Sequence, residues 1–330
     1  MTIILEIKNL SIEYKIIKDS ANTVVKAVKD VSLQLNHGEI YALAGESGCG
    51  KSVTSNAIMG LVPQPPGKVT ARKIEFKGKD LKHYTRKQFR EIQGMDISMI
   101  FQDPMTALNP IMTVGEQLSE VVLTHEKVSK AEAKQRVIDL LKIVGVKEDR
   151  YDNYPHEFSG GQKQRVVIAM SLLCNPKLLI ADEPTTALDV TIQAQVLEII
   201  NKLREQYKMS MILITHDLGV VAETCDKVAI MYAGQIVEQG SIVEVYDNPK
   251  HPYTKGLLES IPRIDEDKER LYMIDGVVPS PQNLPEGCAF APRCPDCMEI
   301  CKKSRPALVE SEGRMLRCFL YHSVCEGEQK

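Results

Sequence analysis

The chain has no tryptophan and only 5% aromatic residues in all, too few to furnish stacking platforms for single-stranded nucleic acid. It also lacks a basic excess. Its 41 Lys and Arg against 44 Asp and Glu leave a formal charge of −3, so no field draws it onto a phosphate backbone. Both absences argue against nucleic acid as a partner. Long apolar runs are missing as well: the most apolar stretch, VVIAMSLLCNPKLLIADEP, is broken by Asn175, Pro176 and Lys177, short of the roughly 20 residues that span a bilayer. The opening MTIILEIKNLSIEYK has Glu6 and Lys8 inside its short apolar run and none of the regions of a secretory signal. The expectation is a soluble, unexported chain, whose thiols a reducing cytosol keeps reduced. Cysteine is sparse until CAFAPRCPDCMEIC, which crowds Cys288, Cys294, Cys297 and Cys301 into 14 residues. In that setting a cluster points to metal or redox chemistry before a disulfide frame.

At 330 residues the length suggests about two domains. LEIKNLSIEYK and VKDVSLQLN alternate apolar and polar residues, the pattern of antiparallel strands packed on one face. GEIYALAGESGCGKSVTSNAIMG reads as a short buried strand, a glycine-rich turn and a helix stopped at Gly60. Residues from about 104 to 170 look helical. SKAEAKQRVIDLLKIVGV shows this best, with Ser129 as cap, Val137, Leu140, Leu141 and Val144 on one face, and Gly145 as stop. KLLIADEP and MSMILITHD are buried strands with polar residues at their C-terminal ends, where open α/β sheets place ligands. From Asp247 the chain turns rich in Pro, Cys and charge. This divides it into residues 1–246 and a small appended domain, 247–330.

GESGCGKS, Gly45 to Ser52, fits G-x-x-x-x-G-K-[ST] with a strand before it and a helix after it. Its glycines turn backbone N–H groups onto phosphates, Lys51 reaches the β and γ oxygens, and Ser52 offers a hydroxyl to magnesium. In LLIADEP, Asp182 would hold that magnesium through water and Glu183 is the candidate general base. A strand-end acid pair also serves as a solvated edge or a helix cap.

Here the residues carry a resemblance. EFSGGQKQR (157–165) is similar to the signature of ABC ATPases, FQDP to their Q-loop, TALD to their D-loop and ITHD to their switch histidine. The resemblance covers about residues 4–245. It implies an α/β fold: a P-loop NTPase (RecA-like) core with an antiparallel β subdomain, a helical subdomain at about 104–170 and a small Cys-rich C-terminal domain. It also implies MgATP bound by Gly45, Glu46, Ser47, Gly48, Cys49, Gly50, Lys51, Ser52 and Val53, with Tyr14 stacked on adenine. Gln102 would bridge magnesium and a permease-facing loop. His216 would contact the γ-phosphate and position Glu183, with Asp189 in the D-loop. Ser159, Gly160, Gly161 and Gln162 would act in trans on the ATP of an opposite subunit.

FQDPMTALNPIMTVGEQ, NPKHPYTKGLLESIPR and the cysteine tail narrow the resemblance to the ATP-binding subunits of Dpp/Opp-type peptide importers, over essentially the whole chain. It implies a translocase-type ATP hydrolase, peripheral on the cytoplasmic face of a bacterial membrane. Its partners would be two integral-membrane permease subunits, a paralogous ATPase subunit or a second copy, and indirectly an external peptide-binding protein. The same architecture also serves nickel and other small solutes. A non-transport ABC ATPase would typically carry a second cassette or a coiled-coil insertion, and an iron–sulfur sensor would not need intact ATPase motifs. HPYT (251–254) reads as a Pro-fixed turn before a helix with Tyr253, Leu257, Leu258 and Ile261 on one face, a clasp for the tail. Spacing alone leaves the cysteines open between zinc, which four thiolates satisfy, and part of a ferredoxin run. The resemblance implies a [4Fe–4S] cluster on Cys288, Cys294, Cys301 and Cys318. Cys297, a possible substitute ligand, and Cys325 depart from that pattern. Cys49, Cys174 and Cys225 read as packing residues.

Overall fold

The computed structural model describes residues 2–18, 21–185, 189–261 and 273–321. The chain folds as two compact units, Met1–Ile4, Leu35–Ile40 and Lys77–Ile214 in the first, Leu5–Gln34, Tyr41–Phe76 and Thr215–Lys330 in the second.

In the first unit, strands Ile97–Ile100, Leu178–Asp182 and Ser210–Thr215 pair in parallel, Ile97 beside Leu178 and Leu178 beside Ser210. Every residue of the three is buried, which is why they read as continuous apolar runs rather than alternating ones. The helical part holds Val114–His125, Lys130–Ile143 and Gly160–Leu172. Ser129 caps the second of these as expected, accepting the Glu132 N–H at 3.2 Å. Val137, Leu140, Leu141 and Val144 are buried, and the chain turns out at Gly145 with φ +78°. Among the described residues no helix is long and apolar enough to cross a membrane.

The second unit contains an antiparallel sheet of Ile3–Lys18, Ala21–Asn36, Gly67–Thr70 and Lys73–Phe76. The alternation read from the sequence is present only in part, and its phase shifts along each long strand. Leu5 and Ile7 are buried, then Leu10 and Ile12; Val28 is buried, then Val31 and Leu33. The shifts from Ile7 to Leu10 and from Val28 to Val31 fall at Asn9 and Asp30, which have φ of +52° and +51°, a conformation Asn and Asp tolerate better than most residues. The two positions are tied together: Asn9 Nδ2 donates to Asp30 Oδ1 at 2.5 Å, the Asn9 N–H to Ser32 Oγ and the Asp30 N–H to Ser11 Oγ.

A mixed sheet completes this unit. Strand Ile40–Ala44 runs parallel to Lys227–Tyr232, which turns back antiparallel into Gln235–Ser241. The C-terminal segment extends this sheet. Arg314–Leu316 adds to Gln235–Ser241, Glu238 opposite Leu316, and Val309–Ser311 adds outside it. Helix Pro252–Glu259 is capped by His251, whose Nδ1 accepts the Tyr253 N–H at 3.0 Å. Tyr253 and Phe290 meet Tyr232 edge-on, with ring centroids 4.7 and 5.2 Å away. With few apolar periods of its own, the tail buries its aromatic residues in a core shared with Ala44, Val228 and Ile230.

Burial of this seam includes charge. Glu238 is fully buried, accepting the N–H groups of Lys250 and His251 at 3.0 Å each and pairing with the buried Arg314 guanidinium at 3.2 Å. Arg314 Nη1 also donates to the carbonyls of Glu244 and Asn248, at 2.7 Å each. Removing one partner of such a pair strands the other's charge, which costs about 3–5 kcal/mol. Arg314→Ala is expected to lower stability by about that amount and Glu238→Gln by less, since the amide oxygen still accepts a backbone N–H. Urea unfolding of the two variants checks the order.

Candidate functional site

The site is built on the loop that leaves strand Ile40–Ala44. At Gly45, with φ +145°, a Cβ would stand 2.3 Å from the Met231 carbonyl oxygen; at Gly50, with φ +105°, it would stand 2.9 Å from the Ala27 oxygen. No side chain fits at either place. Helix Lys51–Ile58 then starts on Gly50, which offers no side-chain cap, so the first turn lies at the positive end of the helix dipole with no capping side chain from that position. Lys51 is buried, its ammonium donating to the carbonyls of Gly45 at 2.7 Å and Glu46 at 3.1 Å. Ser47 and Gly48 are exposed, and Ser52 and Val53 half-buried. Burial pushes the Cys49 thiol pKa above its ordinary value. Loop, lysine and helix N-terminus together make a cradle for an anion.

Glu46 is held from three sides, two of them by groups that the sequence reading did not assign to this loop. Its N–H donates to the Tyr253 hydroxyl at 3.0 Å. Its carboxylate takes both arms of Arg293, at 2.8 and 3.1 Å, and its carbonyl accepts from Lys51. The signal was faint: Arg293 is the arginine of APRC, 247 positions beyond Glu46.

In the first unit the structure brings Gln102 and Glu183 together, Gln102 Nε2 donating to Glu183 Oε2 at 2.9 Å. Asp182 ends its strand 4% exposed. Glu183 turns out with φ +47°, its N–H donating to the Ile214 carbonyl at 2.8 Å. Ser159 and Gln162 form a reciprocal capping box at the start of helix Gly160–Leu172, where Gly160 and Gly161 are the first two residues. Asp189 caps the helix Val190–Tyr207 by accepting the Ile192 N–H at 3.0 Å; the preceding Thr186, Ala187 and Leu188 of TALD lie outside the described residues. Beside Gln102, a groove of about 930 Å³ is lined by Phe101, Met99, Met112, Val121, His125 and Met170 among others.

In the second unit, His216 is exposed, and Asp217 after it caps helix Leu218–Thr224 through the N–H groups of Gly219 and Val220. Tyr14 is half-buried opposite Gly67, and burial raises its hydroxyl pKa.

Cys288, Cys294, Cys301 and Cys318 line one small cavity of about 10 Å³, together with His251, Phe290 and Asp296. Cys297 is not on its wall; its thiol points to the Met298 carbonyl at 3.7 Å. The cysteines among the described residues are free thiols, and Cys325 lies outside those residues. Burial, reinforced by neighbouring thiols, pushes Cys294 up to about 12 and Cys318 to about 11, and raises Cys288. Among the described residues no group of three or more His, Cys, Asp or Glu stands at metal-holding distances.

Two family models match the chain, "ABC transporter" over residues 28–186 and "Oligopeptide/dipeptide transporter, C-terminal region" over residues 237–301. It is 49% identical to the dipeptide transport ATP-binding protein DppD of Bacillus subtilis, over 99% of both chains. It is 50% identical to the oligopeptide transport ATP-binding protein AppD of the same organism, over 97% of this chain and 98% of the other. Among solved structures it is similar to the dimeric post-hydrolysis ATP-binding cassette MJ0796 bound to ADP and Pi, with a TM-score of 0.64 and 26% identity over 72% of this chain and 98% of that one. CbiO1 of Clostridium perfringens, part of a cbiONQ transporter complex, gives a TM-score of 0.62 and 29% identity over 75% and 92%. A P-loop cradle on such a fold, with relatives of this kind along nearly its full length, places the chain in the ABC transporter ATPase family, among the dipeptide and oligopeptide transport ATP-binding proteins.

Proposed function

We propose that this chain is the ATP-hydrolysing subunit of an importer for dipeptides or oligopeptides, bound peripherally at the cytoplasmic face of a bacterial membrane. The observation that carries this reading is full-length similarity to peptide-transport ATP-binding proteins, which extends through the C-terminal region at 237–301. Those relatives do not favour nickel or another solute as cargo, nor a non-transport role.

ATP fits the cradle: Lys51 would exchange its two carbonyl partners for the β and γ oxygens, and the N–H groups after Gly50 would face the phosphates. Ser52, Gln102 and Asp182 would hold magnesium, which shields charge on the β and γ oxygens. Glu183 would take the proton from the attacking water, oriented by His216. Tyr14 would stack on the adenine. Gly160 and Gly161 begin the helix behind Ser159, and their N–H groups suit the γ-phosphate of a second subunit, either a related chain or another copy; Asp189 would face that junction.

The groove beside Phe101 is apolar on much of its wall and suits a helix from one of two permease subunits. Gln102 directly follows Phe101 and bonds Glu183, so a partner seated there can reach the proposed base through one residue. An external binding protein would deliver the peptide to the permeases.

The cysteine cavity has the donor chemistry for a [4Fe–4S] cluster on Cys288, Cys294, Cys301 and Cys318, or for zinc. Metal binding by these thiolates would supply folding free energy to a tail short of apolar core.

Three outcomes are expected. Glu183→Gln should lower turnover by about 10²–10⁴-fold while still binding MgATP, measured by phosphate release and by nucleotide retention; normal turnover rejects Glu183 as base. The purified chain alone should hydrolyse ATP slowly, with a rate per chain that rises with protein concentration. Anaerobic purification should yield brown protein with about four irons per chain, whereas colourless protein with one zinc would assign the cavity to zinc and leave the ATPase reading intact.

A further inference from the structure

The tail meets the phosphate loop at Glu46, through Arg293 and Tyr253. Arg293 is almost wholly buried, its side chain 4% exposed. Its guanidinium is fixed on both flanks. Nε donates to the Asp275 carbonyl at 2.9 Å and Nη2 to the Ile274 carbonyl at 3.2 Å, and the group lies over the Tyr232 ring, 5.8 Å from its centroid. From that seat it forks onto the Glu46 carboxylate, the geometry in which arginine binds a carboxylate most strongly. The Tyr253 hydroxyl accepts the Glu46 N–H at 3.0 Å while its ring is locked against Tyr232 and Phe290.

We infer that Arg293 and Tyr253 are positioning residues of the nucleotide site, holding Glu46 so that the phosphate loop keeps its anion-binding shape. This rests on the ATPase reading. Two physical effects combine. The loop is ordered before nucleotide arrives, which removes an ordering cost from binding. The arginine also neutralises an acid that sits inside a loop meant for a polyanion; left unpaired, that carboxylate would repel the incoming phosphates. The anchor comes from the tail's own local fold. Arg293 ends the short turn Ala291–Arg293, whose N–H groups bond back to Cys288 and Phe290, with Cys294 next in the chain. The cysteine-lined cavity therefore brackets the residue that steadies the phosphate loop.

The test is ADP affinity of the full chain by calorimetry, with KM and kcat for MgATP measured beside it. Losing a hydrogen-bonded charge pair should weaken binding about tenfold or more. Arg293→Met is thus expected to raise the ADP Kd and the ATP KM by about that factor, with kcat moving less than about threefold. Glu46→Gln together with Arg293→Met removes both charges and should recover most of the affinity, and Arg293→Lys should fall between, because an ammonium cannot reproduce the fork. Tyr253→Phe keeps the ring and removes only the acceptor, giving a second measure should Arg293→Met fold poorly; it is expected to weaken ADP binding about threefold. Unchanged ADP affinity in both Arg293→Met and Tyr253→Phe overturns the inference, as does a double variant no better than Arg293→Met alone. Wild-type protein that binds no ADP, or Lys51→Ala that binds it normally, would instead remove the ATPase reading, so the two failures are told apart.

Discussion

Between residues 45 and 50 the main chain passes so close to two other stretches of backbone that side chains are excluded, at the Met231 carbonyl on one side and the Ala27 carbonyl on the other. This close approach governs much of the second unit. It needs strand Lys227–Tyr232 in parallel register with Ile40–Ala44, so that Met231 arrives beside Gly45. It needs Gly234 in the following turn, where a Cβ would stand 2.6 Å from the same Ala27 oxygen. The loop's curvature is thus imposed by sheet pairing and by packing against Ala27, and the glycines are what permit it.

The first unit solves a different problem, which is to link a surface to a carboxylate. Glu183 sits at the end of a strand buried along its whole length, so the strand gives it little freedom. Gln102 leaves the neighbouring parallel strand and bonds it, while Phe101 one position earlier borders an open groove. Gln102 lies outside the strand Ile97–Ile100 that precedes it, so the proposed relay would not need the sheet to move. Such an arrangement suits a two-state element, since a partner alters the balance only by binding one position of the segment better than the other.

Much of the local architecture was legible because its causes are local. The phosphate loop, the cap at Ser129 and the apolar face of Lys130–Ile143 are set by residues within a few positions of one another. The slips at Asn9 and Asp30 were not legible, for a strand's alternation does not show where two left-handed residues will bond across strands. How the tail packs was not legible, because its sparse apolar residues suggest no core, whereas Tyr253 and Phe290 join that of Tyr232 and Val228. Tyr253 was visible as one of a helix's apolar face; that its hydroxyl meets the Glu46 N–H depends on packing across more than 200 residues. Arg293 escaped notice for the same reason, surrounded in sequence by cysteines that drew the chemical interpretation.

One consequence concerns where the sheet stops. Gln235–Ser241 is flanked by Lys227–Tyr232 on one side and by Arg314–Leu316 on the other, and the outermost strand is the three-residue Val309–Ser311, carrying an exposed Glu310. A short, charged outer strand offers poor pairing to another chain, while a bare Gln235–Ser241 would offer a longer one. The final hairpin thereby serves as a hem for the cassette. Deleting that hairpin alone would unpick it and leave Gln235–Ser241 as a sticky margin.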